Sequence, residues 1–199
     1  MRRILPLVLL ACARAACDAQ APAPAPAPGT ASDSPAPAPP PSIEPAPAVD
    51  GPARFDGYGA LRFGMTEADV RAAWDADLGG GDPAATGDAC HYLFPTASKP
   101  PSNFALMFEG GRFVRYDIGT AADTAPGGGK VGMDAAEIDA LYPDRVAESP
   151  HKYVEGGRYL RIPATSGDGV LVFEVDANDR VSAWRAGVAP QVDYVEGCS

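Results

Sequence analysis

The segment RFGMTEADVRAAW, from Arg62 to Trp74, has a near copy further along the chain, KVGMDAAEIDALY, from Lys130 to Tyr142. Each copy contains Gly-Met and then a residue that suits a helix N-cap, Thr66 or Asp134, followed three positions later by an acid. A short side-chain oxygen at the N-cap accepts from the first free amides, and an acid in the first turn favours the positive end of the helix. The two segments therefore predict two short helices that begin in the same way.

Apolar residues recur after each cap at helical spacing. The two sets correspond at an offset of 68 residues: Met65, Val70, Ala73 and Trp74 in the first copy, and Met133, Ile138, Leu141 and Tyr142 in the second. What repeats is what starts a helix and buries one side of it. We therefore interpret these segments as scaffold rather than as a binding or catalytic site.

The sequences that follow the two predicted helices also match. FALMFEGGRFVRYDIG, residues 104–119, and GVLVFEVDANDRVSAWRAG, residues 169–187, each contain an apolar run, a turn, an arginine and an alternating strand. Each predicts a β-hairpin, and CHYLF (90–94) and RYLRI (158–162) predict one more strand before each hairpin.

The predicted fold class is α+β with one disulfide. It is a tandem repeat of a short helix, or helix pair, with an antiparallel sheet, and the helices lie on one sheet face. The repeats span about residues 54–120 and 121–188. One copy cannot cover its own apolar face well, whereas two copies can share a core.

At these residues the sequence resembles a known family. LRFGMTEADV and GKVGMDAAEI are similar to the helix start of the β-lactamase-inhibitor-protein-like fold, which is shared with small outer-membrane assembly lipoproteins related to BamE. The resemblance covers about residues 58–188 and implies, in each half, a helical segment packed on one face of an antiparallel sheet. PHKY, GGRYL and YVEGCS resemble segments of a group of bacterial exported proteins. We do not expect β-lactamase inhibition, because the inhibitor has a disulfide within each half and each half here supplies at most one cysteine.

The N-terminus is typical of a secretory signal. Two arginines precede an apolar run, Ile4 to Ala13, that is too short to span a bilayer. LLAC ends at Cys12 and RAAC at Cys17, and both suit a bacterial lipoprotein signal, in which the sulfur of the first mature residue takes the lipid. We predict a signal peptide at residues 1–16 and lipidation of Cys17, because that choice leaves an even number of cysteines. Lipidation of Cys12 is one alternative, and ordinary cleavage to a soluble secreted protein is another.

Residues 17–52 are rich in Ala and Pro and have almost no bulky apolar side chains, so we predict a disordered tether. Residues 53–199 then form the α+β domain, with a C-terminal tail at 189–199. This domain has 13 Lys and Arg against 22 Asp and Glu, a net charge of −9. Such a surface repels nucleic acid and anionic headgroups, so we expect no nucleic-acid partner, and membrane contact only through the N-terminal lipid.

Export implies an oxidising compartment, where the remaining pair, Cys90 and Cys198, can form a disulfide. The alternative is two buried free thiols. The expected location is the bacterial cell envelope, lipid-anchored and facing the periplasm or the outside.

No catalytic or metal-binding motif accounts for the function. His91 lies in a predicted strand and His151 in a polar loop, SPHKY, and neither has metal-ligand spacing. No G-x-S-x-G or Walker sequence is present, and the carboxylate-rich turns lack calcium-loop spacing. We therefore expect no catalytic residues, no metal and no cofactor. A hydrolase that uses His151 is the least favoured alternative.

An exposed sheet face with adjoining loops is the expected binding surface, since helices on one face of an antiparallel sheet leave the other face open. Tyr116 and Trp184 occupy matching strand positions and are either paired core aromatics or part of an exposed aromatic and arginine surface. The candidate binding residues are Arg115, Tyr116, His151, Lys152, Tyr153, Trp184, Arg185 and Tyr194. The sequence favours a non-enzymatic module that binds an envelope protein, and a carbohydrate-binding, lectin-like module is the alternative.

Overall fold

The computed structural model describes residues 51–81, 90–97 and 100–198. The predicted signal peptide, both lipidation candidates (Cys12 and Cys17) and almost all of the predicted tether lie outside the described residues. Within the described residues, no helix is long and apolar enough to cross a membrane.

The described chain is mostly antiparallel sheet with two helices. Three two-residue strands come first and form a small sheet of their own: β1 (Ala53–Arg54), β2 (Gly57–Tyr58) and β3 (Leu61–Arg62). The first half continues with α1 (Glu67–Ala73), β4 (Leu78–Gly80), β5 (His91–Pro95), β6 (Phe104–Glu109) and β7 (Arg112–Ile118). The second half has α2 (Ala135–Leu141), β8 (Ala147–Pro150), β9 (Arg158–Pro163), β10 (Gly169–Val175) and β11 (Val181–Val188).

Within the part of the chain that the structure describes, the main sheet has eight strands in the order β4-β5-β6-β7-β11-β10-β9-β8. Outward from the central β7–β11 pair, the strands are β6, β5 and β4 on one side and β10, β9 and β8 on the other. Each strand of one half therefore has a counterpart at the same distance from the centre in the other half. At the centre, Tyr116 lies opposite Ala186, and Trp184 lies opposite Ile118. Both hairpins and both additional strands that the sequence predicts are present.

The two helices begin with the same cap geometry. Thr66 Oγ1 accepts from the amide of Asp69 at 3.2 Å, and Asp134 Oδ1 accepts from the amide of Glu137 at 2.8 Å. In each case the acid at the third position accepts in return from the backbone N–H of the cap. Both capping boxes predicted from the sequence are therefore formed, and within the described residues each half has one α-helix rather than a pair.

The segment before each helix is held by the second strand of its hairpin. Gly64 N–H donates to Phe113 O, and Gly132 N–H donates to Val181 O, both at 2.8 Å. Both glycines have positive φ, +90° and +93°, a conformation that side-chain-bearing residues rarely adopt. These paired contacts fix where each helix begins relative to the sheet.

A second contact repeats at the same place. Arg112 Nη1 donates to Gly64 O at 3.2 Å, and Arg180 Nη1 donates to Gly132 O at 3.1 Å. Each arginine lies 48 residues after its glycine, although the hairpin turn of the second half is longer.

The main core lies between the helices and one face of the sheet. Val70 of α1 and Ile138 of α2 are both fully buried in it, so both helices pack on the same face, as the sequence predicts. Alternate strand residues contribute the other side of this core, including Leu106, Tyr116 and Phe173.

The second sheet face is not open over its whole area, contrary to the expectation from the sequence. After β11 the C-terminal tail, residues 189–198, turns back over it through a short 3₁₀ turn at Gln191–Asp193. Val192 is fully buried there against Tyr159, Val170 and Val172. The tail covers the apolar residues that strands β9 and β10 present on this face.

Candidate functional site

Two buried arginines hold the tail on the second sheet face. Arg115 Nη1 donates to the carbonyl oxygens of Gln191 at 3.0 Å and of Tyr194 at 2.6 Å. Arg185 Nε donates to Val192 O at 2.6 Å. Both residues are only 4 % exposed. Arg115 and Arg185, predicted as binding residues, therefore hold the tail from beneath rather than stand on an exposed surface.

The tail is fixed at both sides as well. Asp193 Oδ1 lies 2.9 Å from Arg161 Nε, and Gln191 Nε2 donates to Glu109 Oε2 at 2.5 Å. The disulfide between Cys90 and Cys198 is present, and it ties the end of the tail to the residue before β5. The free-thiol alternative does not apply.

The SPHKY loop meets the tail next to these contacts. Lys152 Nζ lies 2.6 Å from Glu196 Oε1, and the Tyr153 hydroxyl donates to the same carboxylate. Tyr153 is 60 % exposed. Four predicted binding residues thus contact the tail: Arg115, Lys152, Tyr153 and Arg185. Tyr194 is itself part of the tail.

His151 is occupied by contacts that orient the loop. Its Nδ1 accepts from the backbone N–H groups of Tyr153 and Val154, both at 3.1 Å. Its Nε2 lies 3.7 Å from Glu174 Oε2, and its ring stacks on Tyr159 with centroids 4.5 Å apart. Among the described residues, none of these partners is a serine, threonine or cysteine. The arrangement is that of a loop-capping histidine.

Tyr116 and Trp184 do not belong to an exposed surface, and that reading of them is wrong. Both are buried, with 0 % and 1 % of their surface exposed, and both lie in the main core on the helix side of the sheet. The Tyr116 hydroxyl donates to Arg54 O at 2.9 Å. Because side chains alternate along a strand, their burial puts Arg115, Asp117 and Arg185 on the second face.

A cavity of about 390 Å³ opens on the second face beside the tail, and we call it the sheet cavity. Aromatic and small apolar residues of β5, β6 and β11 form much of its wall, and two carboxylates, of Asp117 and Glu174, reach it. The residues that line it are Tyr92, Phe94, Pro101, Ser102, Ala105, Asp117, Glu174, Ala183 and Arg185, together with Ile118 and Trp184, whose side chains belong to the main core. Apolar walls with a few convergent polar groups are typical of binding sites.

Each carboxylate of the sheet cavity is paired with one of the buried arginines. Asp117 Oδ1 lies 2.5 Å from Arg115 Nη2, and Glu174 Oε1 accepts from Arg185 Nη1. The arginine side chains are 5 % exposed, whereas both acid side chains are 25 % exposed. The acid is therefore the more exposed partner of each ion pair.

Burial shifts the pKa values of groups in this region. Loss of hydration raises the pKa of Asp117 above its usual value, although the charge and hydrogen bonds of Arg115 oppose that shift. Burial, followed by the negative charge of Asp117, raises the pKa of Tyr92 to about 12.

The sequence interpretation missed Tyr92, Phe94 and Glu174. Alternation in CHYLF puts Tyr92 and Phe94 on the face opposite Leu93, and Leu93 is fully buried in the main core. That alternation was the available signal. Among the described residues, no group of three or more His, Cys, Asp or Glu side chains is arranged to hold a metal ion.

No protein family profile matches the chain, and no curated protein matches it. An extracellular protein containing a SCP domain from Bacillus anthracis str. Ames has a solved structure that is 11 % identical with a TM-score of 0.40. That match covers 63 % of this chain but only 44 % of the other, so the chain spans less than half of that protein. The uncharacterized protein yfeY from Escherichia coli is 10 % identical with a TM-score of 0.42, over 68 % of this chain and 95 % of that one. Membership of the β-lactamase-inhibitor-protein-like or BamE-like group stays a prediction.

Proposed function

We propose that this protein is a non-enzymatic binding module of the bacterial cell envelope, and that it binds a protein partner at the sheet cavity. The observation that carries the proposal is the cavity itself. It lies on a sheet face whose apolar residues in β9 and β10 are covered by the tail, and it has aromatic walls and two partly exposed carboxylates. Aromatic residues are enriched at protein interfaces because they bury a large apolar area and still offer polar edges.

Export of the protein is supported by the disulfide and by the signal-like N-terminus. Disulfides persist in oxidising compartments and are rare in reducing ones. We propose that Cys17, or alternatively Cys12, carries a lipid, and that residues 17–52 tether the domain to the membrane. The anchored domain then faces the periplasm or the outside, and a soluble secreted form is the alternative.

We also propose that the two halves are tandem copies of one unit, as the resemblance to the β-lactamase-inhibitor-protein-like group implies. Three observations support it: the symmetric strand order, the equivalent capping boxes, and the pairs Gly64–Phe113 and Gly132–Val181 at an offset of 68. The sheet cavity and the tail are what the two halves do not share. We therefore assign the binding role to the sheet cavity and the tail, which are not part of the repeated scaffold.

A hydrolytic role is less favoured because the contacts of His151 restrain it. Its Nδ1 is held by two backbone N–H groups and its ring is stacked on Tyr159, whereas a general base must reach a proton on a nucleophile or on water.

Photo-crosslinking in cells tests the proposal directly. Phe94, in the cavity wall, is replaced by p-benzoylphenylalanine in the full chain, and Leu141, exposed on α2, is replaced in a matched control. We expect a discrete protein adduct from position 94 and none of the same mass from position 141. Equal adducts at both positions, or none at position 94, would overturn the choice of surface.

A glycan array probed with the same full-length protein distinguishes the carbohydrate-binding alternative from the protein-binding proposal. Specific glycan binding that is lost in Phe94→Ala, together with no protein adduct at position 94, would make the module lectin-like.

A further inference from the structure

We infer that the sheet cavity takes the side chain of an arginine or lysine from the partner, with its aliphatic stem against Tyr92 and Phe94 and its cationic head at Asp117 and Glu174. This inference rests on the proposed function and adds the chemistry of the group that enters the cavity. It commits to a basic segment of a protein.

The most exposed charged side chains of the cavity region are its two acids. Asp117 and Glu174 keep 25 % of their side-chain surface exposed, five times the fraction of Arg115 and Arg185. A ligand group entering the cavity therefore meets carboxylate oxygens before it meets guanidinium nitrogens. Both guanidinium groups have other partners as well, because Arg115 and Arg185 also donate hydrogen bonds to carbonyl oxygens of the tail.

Both carboxylates keep acceptor capacity. Asp117 Oδ2 accepts from Arg115 Nε at 3.0 Å, while Oδ1 takes both Nε and Nη2 of the same arginine. Glu174 Oε1 accepts from Arg185, whereas its Oε2 lies 3.7 Å from His151 Nε2, beyond hydrogen-bond range. A carboxylate offers about four lone-pair sites, so both groups can accept more N–H bonds.

The apolar wall selects among cations. Lysine and arginine have long aliphatic stems that cover apolar surface while the charged head stays at the polar end. Tyr92 and Phe94 line the cavity, and the ring electrons of aromatic side chains attract cations. A small hydrated metal ion has no stem to fill about 390 Å³ of largely apolar space.

The alternatives fit less well. A neutral apolar group would displace water from two charged oxygens without giving them a donor, which is costly. An anion would meet like charge in the cavity and across a chain whose formal net charge is −10. Burial raises the pKa of Asp117 although Arg115 opposes that shift. A further hydrogen-bond donor would therefore stabilise the ionised carboxylate of Asp117.

Paired small probes test the inference on the full-length protein. n-Butylguanidinium carries a cationic head, and n-butylurea has nearly the same shape without charge. We expect butylguanidinium to shift the amide resonances of Tyr92, Phe94 and Ala183, with butylurea roughly tenfold weaker or worse. Raising the salt concentration from about 50 to 300 mM weakens only the charged probe.

Three variants sharpen the test. We expect Glu174→Gln and Asp117→Asn each to weaken butylguanidinium roughly tenfold without changing butylurea. Glu196→Gln, which removes a carboxylate of the tail instead, leaves both probes unchanged. Should Asp117→Asn unfold because Arg115 loses its partner, Ala183→Leu serves in its place: it fills the cavity, keeps both acids and abolishes binding of either probe.

Equal affinity of the two probes, or a charged probe that ignores salt and Glu174→Gln, would refute the cationic group and leave the protein-binding site standing. The absence of a protein crosslink from position 94 in cells would instead refute the sheet cavity as the protein-binding site. A failure of the inference is therefore distinguishable from a failure of the proposed function.

Discussion

Tyr116 and Trp184 meet edge to face across the β7–β11 contact, with ring centroids 5.7 Å apart and an interplanar angle of 83°. They are 68 residues apart, the same offset that relates the two helix starts. Edge-to-face pairs bring the positive edge of one ring to the negative face of the other. This pair therefore joins the two halves in the middle of the shared core.

We expect Trp184→Ala to lower the free energy of unfolding by about 3–5 kcal/mol, because it empties a large volume at the centre of the core. Trp184→Phe should cost much less, since it keeps a ring and removes an indole N–H that is buried without a hydrogen-bond partner within the described chain. Urea denaturation of both variants checks the order. A loss below about 1 kcal/mol for the alanine variant would contradict the central role of the pair.

The equivalence of the two helix starts predicts equal and additive cap effects. We expect Thr66→Ala and Asp134→Ala each to cost about 1 kcal/mol, because each removes the acceptor for a first-turn amide. Thr66→Ser and Asp134→Asn, which keep an acceptor, are the matched controls. Thermal melts of the double alanine variant should show the sum of the single losses, and a large deviation would mean that the two caps are coupled.

The sequence predicts the helices and hairpins because their signals are local, and it predicts the disulfide because the N-terminus predicts export to an oxidising compartment. Thr66 with Asp69 is a cap by spacing alone, and the run before each turn reads as a strand. The sequence does not indicate which face of β7 packs against the helices, because Phe113 and Val114 are adjacent and both apolar. That choice depends on strand pairing and on where α1 and α2 dock.

The site was harder to predict for the same reason. Arg115 has the composition of a surface residue, and its partner Gln191 lies 76 residues away, so no local pattern indicates the contact. Arg185 contacts Val192 only seven residues further on, but the sequence does not indicate that the chain turns back over the sheet there. The edge strand β8, AESP, has a sequence with little strand character and exists because β9 offers it backbone partners. Long-range partners decide such features.

Opening the disulfide should loosen the tail and destabilise the fold. The link joins residues 108 apart in sequence, and a loop of that length contributes up to about 4–5 kcal/mol in the chain-entropy account. We expect the wild type in reductant, and Cys198→Ser without it, to share one lowered urea midpoint. Limited proteolysis should then cut within residues 191–198. A Cys198→Ser midpoint that falls further in reductant would contradict this assignment, because no disulfide would remain to reduce among the described residues.

Alkaline pH should unfold the domain through its buried tyrosines. Burial raises the pKa of Tyr142 to about 12, and its hydroxyl donates to Pro126 O at 2.6 Å. A raised pKa means that the folded state favours the neutral phenol. The contribution of Tyr142 to the free energy of unfolding is therefore complete below about pH 10 and is lost as the pH rises toward 12. Circular dichroism and tyrosinate absorbance should change together in that window.

Tyr142→Phe separates this tyrosine from the others. It should cost about 1 kcal/mol at pH 7, from the lost hydrogen bond, and flatten the decline in stability between about pH 10 and 12. An unchanged decline would show that ionisation of Tyr142 is not linked to unfolding.

His151 gives the sharpest contrast between a structural and a catalytic reading. His151→Ala removes the acceptor of the Tyr153 and Val154 amides and the stack on Tyr159, so we expect a loss of about 1–3 kcal/mol and faster proteolysis near residues 151–157. His151→Asn puts an amide oxygen near the position of Nδ1 and should recover part of both. A hydrolase would instead lose its activity in both variants while His151→Ala melted like the wild type, and that result would reverse the assignment of His151 as a loop cap.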